Sequence, residues 1–62
     1  MEIIGTTDVE FVRLNERGGW VSAYDLNGEK GQYWVIDVRV HGETVVYDIG
    51  NGKGLLFVNL RR

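Results

Sequence analysis

The chain has 62 residues, a formal net charge of −2 and a pI of about 5.2, with one histidine and neither cysteine nor proline. A domain this small buries only about 60% of the surface its unfolded chain exposes. Without cysteine, disulfides and cysteine-ligated zinc are excluded as supplements, which leaves oligomerisation as the common remaining one.

The acidic balance has the wrong sign for gripping phosphate backbones by bulk attraction. Met1-Glu2-Ile3-Ile4-Gly5 is too short an apolar start for a signal peptide, and no stretch approaches the length of a membrane span. The expectation is one soluble domain over 1–62, cytoplasmic and with no membrane partner.

In chain order, Ile3 and Ile4 supply at most a short accessory strand. Residues 9–14 follow, rich in β-branched and aromatic side chains, and are read as a strand. Thr7-Asp8-Val9-Glu10 has the form of a helix capping box, and Gly18 is placed to end a helix, so the alternative is an α+β fold with a short helix near residues 8–16. Val9, Phe11, Val12 and Leu14 form no stripe on a helical wheel, which favours the strand. The turn Asn15-Glu16-Arg17-Gly18 leads to a strand at 20–26, and Asn27-Gly28-Glu29-Lys30 to one at 32–40. His41-Gly42 then leads to 44–49, and Gly50-Asn51-Gly52-Lys53 to 55–60. Asn-Gly is the strongest of these signals, because a type I′ turn needs positive φ at both central residues.

Two-residue loops at His41-Gly42 and Asn51-Gly52, with a four-residue loop from Asn27 to Lys30, define a register. One face then collects Val12, Leu14, Val21, Ala23, Trp34, Ile36, Val38, Val40, Val45, Tyr47, Ile49, Leu56, Val58 and Leu60, the expected core. Glu10 and Asp25 fall on the same face, which requires either an open rim or a bulge there. The expected fold is all-β: a five-stranded antiparallel meander closed into a small barrel of SH3-like or OB-like size, or packed as a sandwich with a second protomer. No motif carries a family resemblance residue by residue.

The other face is not an ordinary solvated one, since it presents Trp20, Tyr24, Tyr33 and Phe57, with Arg39 among polar neighbours. Large aromatics most often fill a core, and here an intersheet contact would employ them. As a recognition surface they are the residue types that anchor protein interfaces. The expected function is therefore a non-enzymatic protein-interaction module that self-associates and uses Trp20, Tyr24, Tyr33, Phe57 and Arg39 as its binding residues. The alternative is a small barrel for single-stranded nucleic acid, with bases stacked on the aromatics and Arg13, Arg39, Lys30 or Arg61-Arg62 on phosphates.

Catalytic patterns are thin. His41 sits in a turn, Ser22 has no histidine partner, and a hydroxyl without an activating base is a weak nucleophile. Gly50-Asn51-Gly52-Lys53-Gly54 lacks the Gly-Lys-Ser/Thr ending and the following helix of a phosphate loop. Asp37 and Asp48 share a face, and a loop at Gly42-Glu43 would set them opposite each other; repulsion between like charges favours His41-Gly42 instead. No catalytic residue, metal ligand or cofactor is expected.

Overall fold

The computed structural model describes residues 1–58. Asn59, Leu60, Arg61 and Arg62, used above for a strand end, the core and phosphate contacts, lie outside the described residues. The fold is all-β: β1 (Glu2–Thr7), β2 (Gly19–Asp25), β3 (Lys30–Val35), β4 (Asp37–His41), β5 (Thr44–Gly50) and β6 (Lys53–Phe57). They form one mixed sheet in the order β3-β2-β1-β6-β5-β4. Each half of the chain makes a three-stranded antiparallel unit, and the parallel pairing of β1 with β6 joins them.

This corrects the five-stranded meander and the closed barrel. The sheet edges, β3 and β4, are consecutive in sequence and separated by Ile36 alone. The sheet therefore curls until β3 packs against β5, but no ladder joins β3 to β4.

The accessory segment turns out to be one of the two central strands. Ile3-Ile4-Gly5-Thr6-Thr7 lies between β2 and β6, where Gly5 is required because a Cβ there would strike the Tyr24 carbonyl oxygen. Residues 9–14 form neither the expected strand nor the alternative helix. They cross the open side of the sheet as an irregular segment, from which Phe11 packs on the core while Val12 and Leu14 stay exposed. The segment is pinned rather than loose. Thr7 Oγ1 donates to Ser22 O at 3.0 Å and accepts from Val9 N at 3.1 Å, and the Tyr47 hydroxyl accepts from Phe11 N at 2.8 Å. Its last turn, Asn15 to Gly18, is the expected one, closed by Gly18 N donating to Asn15 O at 3.2 Å.

Three hairpins set which side chains face inward. Between β2 and β3 the loop has three residues, Leu26-Asn27-Gly28, not four. The Asp25 carboxylate decides this by accepting from Asn27 N at 2.8 Å and Glu29 N at 2.9 Å, a local cap that fixes a tight turn with Gly28 at φ 83°. Val21 consequently faces Tyr33, and Trp34 moves out of the expected core to face Trp20. The same cap explains the acid at position 25, which sits at a strand end.

Between β4 and β5 the loop is Gly42-Glu43 rather than His41-Gly42. Gly42 takes φ 63° as the first central residue, the position where a type II′ turn needs glycine. Between β5 and β6 the expected Asn51-Gly52 turn forms, with φ 55° and 72°. A bulge at Ile49 and Gly50 then shifts the ladder by one residue, so that Leu55 and Phe57 turn inward in place of Leu56 and Val58.

The resulting core is Val21, Ala23, Val35, Tyr47 and Leu55, flanked by Ile4, Phe11, Tyr33, Val45, Ile49 and Phe57. Of the expected core, Val21, Ala23, Val45, Tyr47 and Ile49 hold. Val38 and Val40 keep the expected face but lie on the uncovered edge, 36% and 65% exposed. Ile36 is also exposed, at 40%.

Tyr47 links this core to pH. Burial pushes its phenol above the ordinary value of 10.0; the hydrogen bond from Phe11 N opposes that shift, and the negative charge of Glu10 adds to it. Because the folded state holds this proton more tightly than the unfolded chain does, the associated stability is intact below the ordinary value. It is lost as pH rises through the folded one. Tyr47→Phe is expected to flatten the alkaline fall of the urea midpoint as pH rises above the ordinary phenol value of 10.0. At neutral pH it should lower stability by about 1 kcal/mol, the effect of leaving the Phe11 amide unpaired. A wild-type alkaline limb retained in the variant would contradict this assignment.

Candidate interaction surface

The outward face of the β2–β3 hairpin is built by the three-residue loop. It sets Trp20 opposite Trp34, Ser22 opposite Gln32 and Tyr24 opposite Lys30. The two indoles meet edge to face, with centroids 5.1 Å apart and planes at 72°, a favoured aromatic geometry. Trp20 is 54% exposed, held upright by the half-buried Trp34 rather than sunk into the sheet. Two residues further on each strand, Ser22 and Gln32 supply a hydroxyl and an amide. At the loop end the Lys30 ammonium lies 6.0 Å from the centroid of Tyr24, which is 42% exposed. Leu26 in the loop adds an uncovered apolar tip.

The five residues expected to bind are thus divided by the sheet. Trp20 and Tyr24 come together on the outer face. Arg39 lies on that face too, in the cross-sheet row Lys30, Tyr24, Thr6, Leu56, Val46, Arg39, but at the opposite edge. Tyr33 and Phe57 point the other way and pack on the core, where Phe57 stacks on Tyr47 at 5.4 Å. Trp34, expected in the core, and Lys30, expected in a turn, complete the surface. The signal that locates both is Asp25 followed three residues later by Gly28, the preferred first and last residues of a type I turn.

At the far edge, the Gly42-Glu43 loop sets Asp37 directly opposite Asp48, the pairing that charge repulsion was expected to prevent. The repulsion is partly relieved locally. Arg39 Nη2 lies 3.4 Å from Asp48 Oδ2, Asp48 Oδ1 accepts from Gly50 N at 2.9 Å, and Asp37 Oδ1 accepts from Val38 N at 2.8 Å. The conformational demand of Gly42 and the bulge at Gly50 outweigh a surface repulsion that is worth little in water.

Among the described residues no group of three or more His, Cys, Asp or Glu side chains is placed to hold a metal ion. Ser22 faces an amide, which cannot serve as a base, and His41 ends β4 opposite Thr44. Among the described residues no helix is long and apolar enough to cross a membrane. No protein-family model, curated protein or solved structure matches the chain. What it does has to be read from its own side chains.

Proposed function

We propose that the chain is a non-enzymatic protein-interaction module that self-associates and contacts a protein partner through the outer face of β2 and β3. The observation that carries this is Trp20, a large aromatic left 54% exposed yet braced by Trp34. Rigid aromatics of this kind bury much area at small entropic cost, and anchors of partner interfaces are drawn from them. Tyr24, Lys30 and Gln32 give the face a polar rim. Arg39, across the sheet, belongs to a second contact.

The nucleic-acid alternative retains Trp20, Tyr24 and Lys30 but loses Tyr33 and Phe57 as stacking residues, and the acidic Asp25 and Glu29 border what remains. Both readings meet in one experiment. A displayed peptide library is panned on the purified chain and on its Trp20→Ala variant, alongside a fluorescence titration with a single-stranded oligothymidylate at low salt. The expected result is a set of peptides whose affinity falls about thirtyfold or more in Trp20→Ala, the range of an anchor residue. The substitution should change folding stability by only about 1 kcal/mol, the scale of one aromatic pair. Recovery of no Trp20-dependent peptide refutes the protein-binding reading, and salt-sensitive oligonucleotide binding would put the alternative in its place.

A further inference from the structure

We infer that self-association occurs at the open edge of β4. A second copy pairs there antiparallel about a two-fold axis at Val38, so that Asp37 of each copy lies opposite Arg39 of the other. This rests on the proposed self-association and specifies its surface, leaving the Trp20 face free for a different partner.

β4 ends the sheet, and all five of its residues are exposed. Edge strands are normally blunted by lysine, proline or a covering segment. β3, the other edge, carries Lys30, whereas β4, Asp37-Val38-Arg39-Val40-His41, has neither lysine nor proline, and its two charges are of opposite sign, so they repel a strand of the wrong register and complement a second copy in the right one. Its backbone is available in a defined pattern. The two-residue loop makes His41 and Thr44 a hydrogen-bonded pair, and alternation then turns the amides and carbonyls of Val38 and Val40 towards the open edge. There the Val38 amide donates to the neighbouring Asp37 Oδ1 at 2.8 Å, a local bond that an incoming strand replaces as the Asp37 carboxylate turns to Arg39 of the other copy. Ile36 N is already committed to Asp48 O at 2.8 Å, so Ile36 can offer an incoming strand only its carbonyl, which has a long 3.5 Å contact from Arg13.

Two symmetric registers use these groups and make the same number of backbone hydrogen bonds. A pairing centred on Arg39 joins Val38 to Val40 but sets the two guanidinium groups against each other. A pairing centred on Val38 sets Ile36 opposite Val40 along the backbone and Asp37 opposite Arg39 on the outer face, each twice. Opposite charges across a ladder attract and like charges repel, so the Val38-centred register is selected.

It also supplies what the single copy lacks. Among the described residues Asp37 has no cationic partner and faces Asp48, while the Arg39 side chain is 56% exposed and reaches Asp48 through one nitrogen. On the inner face, the joined Val38 and Val40 side chains would extend the groove lined by Phe11, Val45, Tyr47 and Phe57, while Ile36 lies beside Arg39 and Asp48 on the other side. An interface limited to one short strand from each copy belongs among the small, weak ones, so the dimer should be concentration-dependent.

The test is sedimentation equilibrium over a range of concentrations, with circular dichroism confirming that each variant folds. Wild type should dimerise reversibly, and Asp37→Arg and Arg39→Asp should each raise the dissociation constant about tenfold or more by turning both cross-copy pairs repulsive. An equimolar mixture of the two variants should dimerise like wild type, because each cross-copy pair then sets an arginine against an aspartate, whereas Asp37→Arg by itself distinguishes this register from the Arg39-centred one, in which position 37 faces no arginine. Val38→Pro serves if a charge variant fails to fold. It removes an amide that faces the open edge and should give a folded monomer. Trp20→Ala should remain dimeric. A wild-type dimer that survives Val38→Pro and both charge changes overturns the edge pairing while sparing self-association. A wild type that stays monomeric throughout overturns both.

Discussion

Leu55→Ala is expected to cost about 2–5 kcal/mol, the range for truncating a fully buried leucine. Leu55 is completely enclosed, opposite Gly5 on β1 and Tyr47 on β5, where the two halves of the sheet meet. Neighbouring strands are pinned by ladders on both sides and cannot collapse into the space the side chain leaves. For a domain of this length total stability is on the order of 3–9 kcal/mol, so a large share of the variant should be unfolded at 37 °C. Urea denaturation followed by tryptophan fluorescence measures the loss.

The neighbouring residue makes the experiment sharper. Leu56 faces outward and is only partly buried. Leu56→Ala should therefore cost about 1 kcal/mol, that of a typical substitution outside the core. The bulge at Ile49 and Gly50 is the sole reason for this difference, since without it Leu56 would face Tyr47. If Leu56→Ala proved the more damaging of the two, that bulge and the inner face built on it would be wrong.

Gly18→Ala should be nearly as harmful, at about 3 kcal/mol or more, combining strained backbone with displacement of a packed neighbour. Gly18 has φ 144°, and a Cβ there would meet the Val35 carbonyl oxygen and lie 3.2 Å from Trp34 Cε2. Those atoms belong to β3, so the methyl group would push apart the end of the β2–β3 ladder that carries Trp20 and Trp34. Gly28→Ala provides the comparison. Gly28 also has positive φ, at 83°, but a Cβ there meets nothing within 4 Å. Its cost should be about 1–2 kcal/mol, from the left-handed conformation alone. The same denaturation curves report both variants, and equal losses would show that the contact with Val35 O contributes nothing.

The two glycines show how unevenly the fold could be read in advance. Asn51-Gly52 forms the hairpin turn its sequence specifies, and Asn15 to Gly18 also turns where expected. The loop after Asp25 was misjudged by one residue because the contest was between two local chemistries, an Asn-Gly pair and a carboxylate cap, and the carboxylate prevailed. That single residue moved Trp34 from the core to the surface. Of the candidate site, Trp20 and Tyr24 were legible because both lie on β2 two residues either side of Ser22, and period-two alternation sets them on one face whatever the partner strand does. Tyr33 was not, because its face depends on the loop length. Phe57 was not, because its face depends on the bulge.

What the amino-acid order determined by itself was the all-β class, the presence of the four glycine-bearing turns, and the alternation of side chains along β2; the break at Ile36 within the expected strand 32–40 was not among them. These depend on residues two to four apart, where glycine conformation, β-branching and Asn or Asp side chains act directly. The tertiary structure alone decided that Glu2–Thr7 is a central strand, that residues 9–14 are neither strand nor helix, and which of Leu55 and Leu56 is buried. A parallel pairing between the two ends of the chain leaves no local signature. Its choice rests on the total apolar surface removed from water, and a bulge that costs little locally is accepted when it turns Leu55 and Phe57 towards Tyr47.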